Sequence, residues 1–451
     1  MLLESALAHY YDQVQAALRE LLPVRPNDGS RSEFTPGVEL PELTDAMRDY
    51  LSVSTVAHSP LRTYRGKNLA LLDLTRNPAT MTTKTFASLI IVARAVKFIQ
   101  ETGQRVSIIT PSSANKAIAM RDAVLRAIDT GLVGADQLNV TVIVPAGSVP
   151  KLRSSKLFTD PELRARNPIA VHHGTAPSEV KTIARGIMED HREFLENSGK
   201  TNLWYTLQLE NYLAADVVRA LSEAEFFPPA ADEPRLHVHA VSSAYGLLGH
   251  AHGWETLPHP GRAQKPPHYF LVQHLGAPDM VLSLYHNGSS DPRNAPRYAY
   301  QADSGLYAQQ ENQRFPTVTF DPQEVLDATF YTRNPPTSPR MNELINRQGG
   351  GGIVVSLAEC LERYGQVRSL LGDAGLRLPA NPMEVREWSL VMAMVGLLNA
   401  VDRELVPERD ILVHGSGSYA AGDFDALPAG DLHRVDDADS LRSVVLKANA
   451  L

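Results

Sequence analysis

A lysine at a predicted loop-to-helix junction is the residue of this sequence with the most distinctive chemistry. Lys84 ends the threonine-rich segment 77–84 and begins an apolar stretch with helical spacing. Its neighbours supply hydroxyls without competing charge, a setting that favours the neutral amine needed to form a Schiff base with an aldehyde. A solvated lysine at the start of a helix is the alternative, because most lysines are exposed.

A small polar turn follows the next predicted strand. Ser112 and Asn115 bracket this turn, and Lys116 comes directly after it at the start of a second predicted helix. Serine and asparagine at a helix start satisfy free backbone amides. The same amides can bind a cofactor oxygen or a substrate carboxylate. The turn is therefore compatible with both an ordinary helix cap and a binding loop.

Two further turns follow predicted strands in the second half of the chain. The turn Ser242–Gly246 comes after a strand candidate at 236–241, and the turn His414–Ser418 comes after one at 410–413. Ligands of open parallel sheets bind at the carboxyl ends of strands, and a helix that starts there can bind phosphate. A plain strand-to-helix turn and a flexible loop are the respective alternatives.

Short apolar segments alternate with segments of helical spacing along most of the chain. Strands are predicted at 69–74, 106–110, 140–144, 236–241, 269–272, 353–356 and 410–413, and helices at 1–25, 85–101, 115–128, 180–195, 205–225 and 384–399. This alternation favours parallel sheets with crossover helices. The polar segment 286–318 is expected to form a long surface loop.

The composition is that of a globular protein. The chain has 451 residues, 43% of them apolar and 21% charged, enough for two or three domains. A net charge of −8 argues against binding of nucleic acid. One cysteine excludes a disulfide within the chain and indicates a reducing compartment. With no basic leader and no apolar run of about 20 residues, we expect a cytoplasmic protein that does not enter a membrane.

Several histidines lie near one another in sequence. His237 and His239 alternate on a predicted strand, His250 and His252 follow closely, and His172 and His173 are adjacent. Zinc sites of hydrolases usually show an H-E-x-x-H motif or paired cysteines, and this sequence has neither. The histidines are therefore interpreted as scattered structural or surface residues, and no metal site is predicted.

Taken in order, these segments resemble the fold-type II enzymes that use pyridoxal phosphate (PLP), and threonine synthases more than other members. The resemblance spans residues 69–420. The family's lysine segment is similar to 77–87, its substrate loop to 111–117, and its phosphate loop to 241–247. An Asn-rich helix and a serine-rich segment of the family are similar to 201–208 and 337–344.

The match departs from the family pattern in both loops. Ala114 and Ala117 stand where the substrate loop of the family has glycines. Ser243 and Ala244 stand where its phosphate loop has glycine and asparagine, and Lys116 replaces a threonine. These changes argue against an intact threonine synthase.

The resemblance implies an α/β fold with two open, mainly parallel-sheet domains and PLP in the cleft between them. It implies Lys84 as the Schiff-base and catalytic lysine and Asn115 as a contact of the PLP ring oxygen. Ser112, Ser113 and Lys116 would bind substrate. The phosphate of PLP would be bound by Ser242, Ser243, Ala244, Tyr245 and Gly246, and its ring nitrogen by Ser416.

The resemblance also suggests a division of the chain. We predict an N-terminal helical extension at 1–60, a first α/β domain at 61–230 that carries Lys84, a second at 231–425 that carries the phosphate loop, and a peripheral tail at 426–451.

The implied function is that of a PLP-dependent lyase or transferase. It would act on a small-molecule amino acid by β- or γ-elimination or replacement, in a specialised biosynthetic pathway, and a homodimer is left open. A cofactor-free binding subunit with the same fold is the alternative, motivated by the replaced glycines. A metal-dependent hydrolase that uses the histidines is a third hypothesis.

Overall fold

The computed structural model of this protein describes residues 1–22, 34–206, 208–230, 233–257, 265–330 and 332–450. The chain forms two compact units, and each is assembled from segments that are separated in sequence. The seven-stranded unit comprises Met1–Leu3, Thr55–Arg76 and Asp216–Ala420. The five-stranded unit comprises Glu4–Ser54, Asn77–Ala215 and Ala421–Leu451. The predicted domains, by contrast, are continuous along the chain.

The strands, numbered along the chain, are β1 (Leu2–Leu3), β2 (Val56–Pro60), β3 (Asn68–Asp73), β4 (Arg105–Pro111), β5 (Leu138–Pro145), β6 (Ile169–His172), β7 (Thr201–Tyr205), β8 (Arg235–Ala240), β9 (His268–His274), β10 (Ala299–Gln301), β11 (Leu306–Ala308), β12 (Val318–Thr319), β13 (Gly350–Val355), β14 (Asp410–Gly415) and β15 (His433–Val435). Every strand predicted from the apolar segments is present. Strands β1, β2, β6, β7, β10 to β12 and β15 were not predicted.

The helices are α1 (Ala6–His9), α2 (Tyr11–Leu21), α3 (Asp45–Leu51), α4 (Lys84–Thr102), α5 (Asn115–Asp129), α6 (Lys156–Thr159), α7 (Pro161–Arg166), α8 (Glu179–Gly186), α9 (Arg192–Gly199), α10 (Glu210–Asp216), α11 (Val218–Phe226), α12 (Tyr245–Thr256), α13 (Asp279–Tyr285), α14 (Ser338–Gln348), α15 (Leu357–Asp373), α16 (Ser389–Asp402) and α17 (Ala438–Asn449). A π-helical turn at Ile187–His191 joins α8 to α9.

The seven-stranded sheet has the strand order β1-β2-β3-β14-β8-β9-β13. The five strands from β3 to β13 are parallel, and β2 and β1 extend the sheet in antiparallel pairing. Strand β14 comes late in the chain and lies between β3 and β8. The helix α16 packs in the core of this unit, and its residues 389–401 are all buried, as expected for a helix that is apolar on every face.

The five-stranded sheet has the order β15-β6-β5-β4-β7, and all its pairings are parallel. Helix α4 begins at Lys84 and ends at Thr102; Gly103 follows it with a φ of +68°, which suits glycine at a helix end. Thirteen residues of α4 are buried, because the helix is apolar around most of its circumference. The prediction of mainly parallel α/β sheets is confirmed.

The C-terminal segment is part of the five-stranded unit, which corrects the prediction of a peripheral tail at 426–451. Strand β15 pairs with β6 at the edge of the sheet. Val435, Leu441 and Val445 are fully buried in a core cluster with Ile109 and Leu203. The polar composition of the segment concealed these few apolar positions, which recur at helical spacing in α17.

Two other segments differ from their predicted form. Residues 201–205 form strand β7 and not the Asn-rich helix expected from the resemblance; position 207 lies outside the described residues. The segment 286–318, expected to be a loop, contributes to a small antiparallel sheet of β10, β11 and β12. Positions 23–25 of the predicted helix 1–25 are also outside the described residues, and the described part forms β1, α1 and α2.

Replacement of Leu441 by alanine tests whether the C-terminal helix belongs to the core. We expect Leu441→Ala to lower the free energy of unfolding by about 2–5 kcal/mol, because it leaves a cavity among packed side chains. Urea unfolding measures the change. Lys447→Ala, at an exposed position of the same helix, serves as the control. Equal effects of the two substitutions would contradict the packing described here.

Candidate functional site

Lys84 is half-buried at the first position of α4. Its Nζ lies 4.9 Å from the centre of the Tyr212 ring, a distance at which an ammonium is attracted to the face of an aromatic side chain. The ring gives the lysine a defined direction. Tyr212 was not identified from the sequence, since an aromatic residue in a helix is usually interpreted as core.

Threonine hydroxyls hold the backbone that leads to Lys84. The hydroxyl of Thr82 accepts a hydrogen bond from the Lys84 amide at 3.3 Å. Thr80 and Thr85 are fully buried, and their hydroxyls are 2.6 Å apart. The Thr85 hydroxyl donates to the carbonyl of Thr82 at 2.8 Å. The hydroxyls predicted around Lys84 therefore fix its loop.

Lys116 provides a second amine in the five-stranded unit. Its Nζ donates a hydrogen bond to the backbone carbonyl of Thr206, which directly follows β7. Burial, the charge of Lys84 and the charge of Lys181 lower the pKa of Lys116 to about 7. A large share of the Lys116 side chains is therefore uncharged at neutral pH, which a solvated lysine would not show.

The Ser112 side chain binds backbone amides at the start of α5, whose N-cap residue is Ala114. Its hydroxyl oxygen accepts hydrogen bonds from the amides of Ala114 and Ala117, at 3.2 and 2.9 Å. A serine hydroxyl that accepts two bonds still has its own hydrogen to donate. Ser112 can therefore bind the amides at the start of α5 and, with its hydroxyl hydrogen, also donate to a substrate carboxylate as predicted. Ser113 is half-buried, and Asn115 is buried at the first position of α5.

Ala114 has an unusual backbone conformation. Its φ is +132° and its ψ is −61°, a region that side-chain-bearing residues rarely occupy. The position is one at which the resembled family has glycine, and glycine adopts such angles without steric conflict. The loop therefore keeps a backbone suited to glycine although the residue has changed.

The turn Ser242–Gly246 joins β8 to α12. Ala244 has a left-handed conformation, with φ +51° and ψ +19°, immediately before the helix. The carbonyl of Ser243 accepts a hydrogen bond from the Thr337 hydroxyl at 2.7 Å. The Ser242 Oγ is buried and has no hydrogen-bond partner within the described parts of the chain. Tyr245 begins α12.

A guanidinium and an imidazole lie behind the start of α12. A Cβ atom at Gly246 would come within 3.0 Å of His239 Nε2 and 3.1 Å of Arg219 Nη2, so a larger residue there would require these side chains to shift. Arg219 is 1% exposed, and its Nε donates to Asp216 at 2.7 Å. A helix N-terminus and a nearby arginine both favour a bound anion. The sequence analysis did not predict a role for Arg219. Its position three residues after Asp216, which allows an ion pair, was the one local sign of it.

Ser416 and Ser418 follow β14, the strand that pairs with β8 in the same sheet. The register aligns His414 of β14 with His239 of β8, so Ser416 and Ser242 lie at the same carboxyl edge. The Oγ atoms of Ser416 and Ser418 are both buried, and neither has a hydrogen-bond partner among the residues that the structure describes. A ligand at this edge could therefore be contacted by either serine.

The histidines of the seven-stranded unit are brought together, contrary to the prediction that they are scattered. Arg219 Nη1 lies 3.1 Å from Nδ1 of His414, whose Nε2 lies 3.0 Å from Nδ1 of His237. His237 Nε2 faces Glu223 at 3.7 Å. His250 Nε2 lies 2.7 Å from the same carboxylate. His172 and His173 belong to the five-stranded unit.

The residues at the two ends of this hydrogen-bonded series, Arg219 and Glu223, determine which ring nitrogens carry a hydrogen. Arg219 can only donate, so His414 accepts at Nδ1 and donates from Nε2 to His237, which in turn directs its Nε2–H to Glu223. Burial, together with Arg219, lowers the pKa of His414, and burial with His250 lowers that of His237. Both rings are neutral. Burial alone would raise the pKa of Glu223, but the contacts with His237 and His250 lower it.

Glu223, His237 and His250 could hold a metal ion, because their ligand atoms all lie within 4.8 Å of one another. The side chains of all three residues already form hydrogen bonds within the protein. Arg235 donates to Glu223 at 2.8 Å, and the Tyr269 hydroxyl lies 3.0 Å from Nδ1 of His250. The arrangement is therefore satisfied by hydrogen bonds alone, and the absence of a metal stays a prediction.

Comparison with sequence families gives a direct result. The model of a family described as a family of unknown function, DUF6002, matches residues 2–449. The chain belongs to this family. No curated protein matches the sequence.

Comparison with solved structures identifies the fold. The chain is similar to a PLP-bound threonine synthase from Brucella melitensis, with a TM-score of 0.54 and 12% identity over 97% of this chain and 89% of the other. It is similar to the threonine synthase from yeast, with a TM-score of 0.53 and 12% identity over 99% and 91% of the two chains. The fold-type II architecture predicted from the resemblance is confirmed. No helix in the described residues is long and apolar enough to cross a membrane.

The buried histidines predict how stability depends on pH. His58 is fully buried beside Ser222, and burial lowers its pKa to about 4. Between pH 6.5 and 4 the unfolded chain binds a proton at this ring and the folded chain does not, so stability falls as pH falls. We expect His58→Gln to reduce the slope of the free energy of unfolding against pH by roughly 1.4 kcal/mol per pH unit in that window. Urea unfolding at several pH values measures it.

His173→Gln is the control for the pH experiment, because His173 is exposed. We expect this variant to keep the wild-type slope. A His58→Gln protein with the wild-type slope would show that His58 does not resist protonation in the folded state.

Replacement of Ala114 by glycine tests the unusual backbone of the α5 loop. Relief of a strained conformation is worth about 1–3 kcal/mol, and the added flexibility of glycine costs about 0.5–1 kcal/mol. We therefore expect Ala114→Gly to stabilise the protein by roughly 1 kcal/mol in thermal or urea unfolding. Ala117→Gly, in the helix itself, should destabilise it by about 1 kcal/mol. Destabilisation by both would argue against strain at Ala114.

Proposed function

We propose that this protein is a PLP-dependent enzyme that acts on an amino acid by β- or γ-elimination or replacement. The observation that carries the proposal is the position of Lys84: a half-buried amine, directed over an aromatic ring at the start of α4, in a chain with the fold of a PLP-bound threonine synthase. An amine so held can react with the aldehyde of PLP.

The resemblance implies that residues of the seven-stranded unit would hold the other parts of this cofactor. Buried hydroxyls without partners are uncommon in folded proteins, and Ser242 and Ser416 both supply one at the same sheet edge. A phosphate at 242–246 would accept the Ser242 hydroxyl and amides at the start of α12, with Arg219 behind Gly246 as a compensating charge. Ser416 would contact the ring nitrogen.

When bound, PLP supplies an electron sink for negative charge that develops at the α-carbon of an amino acid. The residues of this chain would move the protons. Lys84 Nζ would take the proton from the α-carbon and hold it as an ammonium, which the Tyr212 ring stabilises. The hydroxyl hydrogens of Ser112 and Ser113 would donate to the substrate carboxylate.

Lys116 would tune the site through its variable charge. With a pKa lowered by burial and by Lys84 to about 7, it can be neutral when Lys84 is charged. A protonated Lys116 would instead attract an acidic substituent of the substrate. Asn115, at the adjacent position in α5, would contact the ring oxygen of PLP.

Absorption spectroscopy with PLP, followed by borohydride reduction and peptide mapping, tests the proposal. We expect an absorption band near the visible edge and a reduced pyridoxyl group on Lys84. Lys84→Ala should lose both the band and turnover, because the amine that forms the Schiff base in this proposal is then missing. Lys116→Met is the matched control and should retain the adduct. An adduct on Lys116 would overturn the assignment of Lys84.

The two buried serines provide a graded test. We expect Ser242→Ala and Ser416→Ala each to weaken PLP binding about fivefold, the equivalent of one hydrogen bond of roughly 1 kcal/mol. Titration of the absorption band measures the affinity. If wild-type protein gives no band at saturating PLP, the cofactor-free alternative is favoured, and the altered Ala114 and Ala244 are then its natural explanation.

We further propose that the reaction is that of a lyase or a transferase and belongs to a specialised biosynthetic pathway. A cytoplasmic location and a homodimer are proposed with it.

A further inference from the structure

A cavity of about 190 Å³ lies within the five-stranded unit and does not include Lys84. Its walls come from α5, from the loop after β5, from the start of β6 and from the C-terminal segment. Ile118, Leu152, Ile169 and Leu427 make part of it aliphatic. The cavity is large enough for several non-hydrogen atoms, well beyond one water molecule.

Arg121 gives the cavity a buried positive charge with an unused donor. The side chain is 5% exposed, and Nη1 donates to the carbonyl of Asn167 at 2.5 Å. Its Nη2 is buried and finds no acceptor within the described residues. An unsatisfied buried donor is destabilising and uncommon. A ligand that accepts a hydrogen bond at this atom would remove the defect.

Arg153 adds a second guanidinium to the same cavity. It is 8% exposed, and its guanidinium carbon lies 4.6 Å from the centre of the Phe424 ring. Planar guanidinium groups bind carboxylates through paired hydrogen bonds. Two guanidinium groups therefore line one small cavity, and the unused Nη2 of Arg121 is the donor that an anionic ligand would meet.

Three acidic residues line the cavity as well, Asp122, Asp423 and Asp425, and of these Asp122 lies beside Arg121 in sequence. Asp122 follows Arg121 in α5, and its Oδ2 accepts a hydrogen bond from Asn77 at 2.9 Å. A ligand with a carboxylate, an aliphatic body and an amino group would match the arginines, the apolar wall and Asp122 respectively.

We propose that this cavity binds a small aliphatic carboxylate, held by Arg121 and Arg153, whose amino group, where present, is directed to Asp122. None of the residues proposed to hold PLP lines this cavity, and the proposal does not depend on PLP binding. Pro78 and Ala79 also line the cavity, and they belong to the segment 77–84 that ends at Lys84.

Three small molecules that differ by one group each test the assignment. L-Valine has the carboxylate and the amino group, 3-methylbutanoate lacks the amino group, and 2-methylpropylamine lacks the carboxylate. We expect the two carboxylates to raise the melting temperature of the full chain by roughly 1.5 °C at tenfold excess over Kd, and the amine to have no effect. A larger shift with L-valine that Asp122→Asn removes would assign the amino-group contact.

Two substitutions locate the binding. Arg121→Met should abolish the shift with 3-methylbutanoate, a compound that has no amine and so cannot react with PLP in place of a substrate. Ser154→Leu should also abolish it by filling the cavity from a half-buried loop position, and it decides the question if Arg121→Met does not fold. Arg185→Met is the matched control, because Arg185 is exposed on α8.

Two results would overturn the proposal. One is the absence of a shift with both carboxylates on the wild-type chain. The other is an equal shift in the wild-type, Arg121→Met and Ser154→Leu proteins. Failure of the PLP proposal is seen separately, as the missing absorption band, and leaves this thermal measurement intact.

Discussion

The hydrogen-bonded series between the buried carboxylate of Glu223 and the guanidinium of Arg219 is the interaction on which the interior of the seven-stranded unit depends. Carboxylates only accept hydrogen bonds and arginines only donate them. With Glu223 at one end and Arg219 at the other, each ring in between has a single arrangement of its proton. The chain of side chains runs from α11 through β8 to β14 and so ties three elements together. Its last member lies behind the helix start at Gly246.

Much of this fold could be predicted from the sequence because its strands are buried on both faces. Strands such as β3 and β5 are mostly apolar, and the long helices α4 and α5 have clear spacing and recognisable starts. The placement of Lys84 at a helix start followed from the same local signals. Short edge strands such as β7 and β15 lack such runs, and their form depends on the neighbouring strand.

The histidine cluster could not be predicted, because its members are distant in sequence. His414 meets His237 and His239 only because β14 is inserted beside β8. Local spacing contains no information about that insertion. The same holds for Arg121, whose unsatisfied donor becomes visible only when the surrounding residues are in place. Backbone strain at Ala114 is likewise a property of the folded loop, although the replaced glycine marks the position.

The insertion of β14 also constrains how the chain can reach its native state during synthesis. One side of β3 and one side of β8 remain without a partner until β14 has been made, near the end of the chain. Unpaired strand edges promote association with other chains. Pairing between such distant segments is slow to form. The nascent protein therefore exposes an unpaired edge of β3, and once β8 has been made an edge of β8 too, until β14 has been synthesised. We expect folding to be limited by the synthesis of this last central strand.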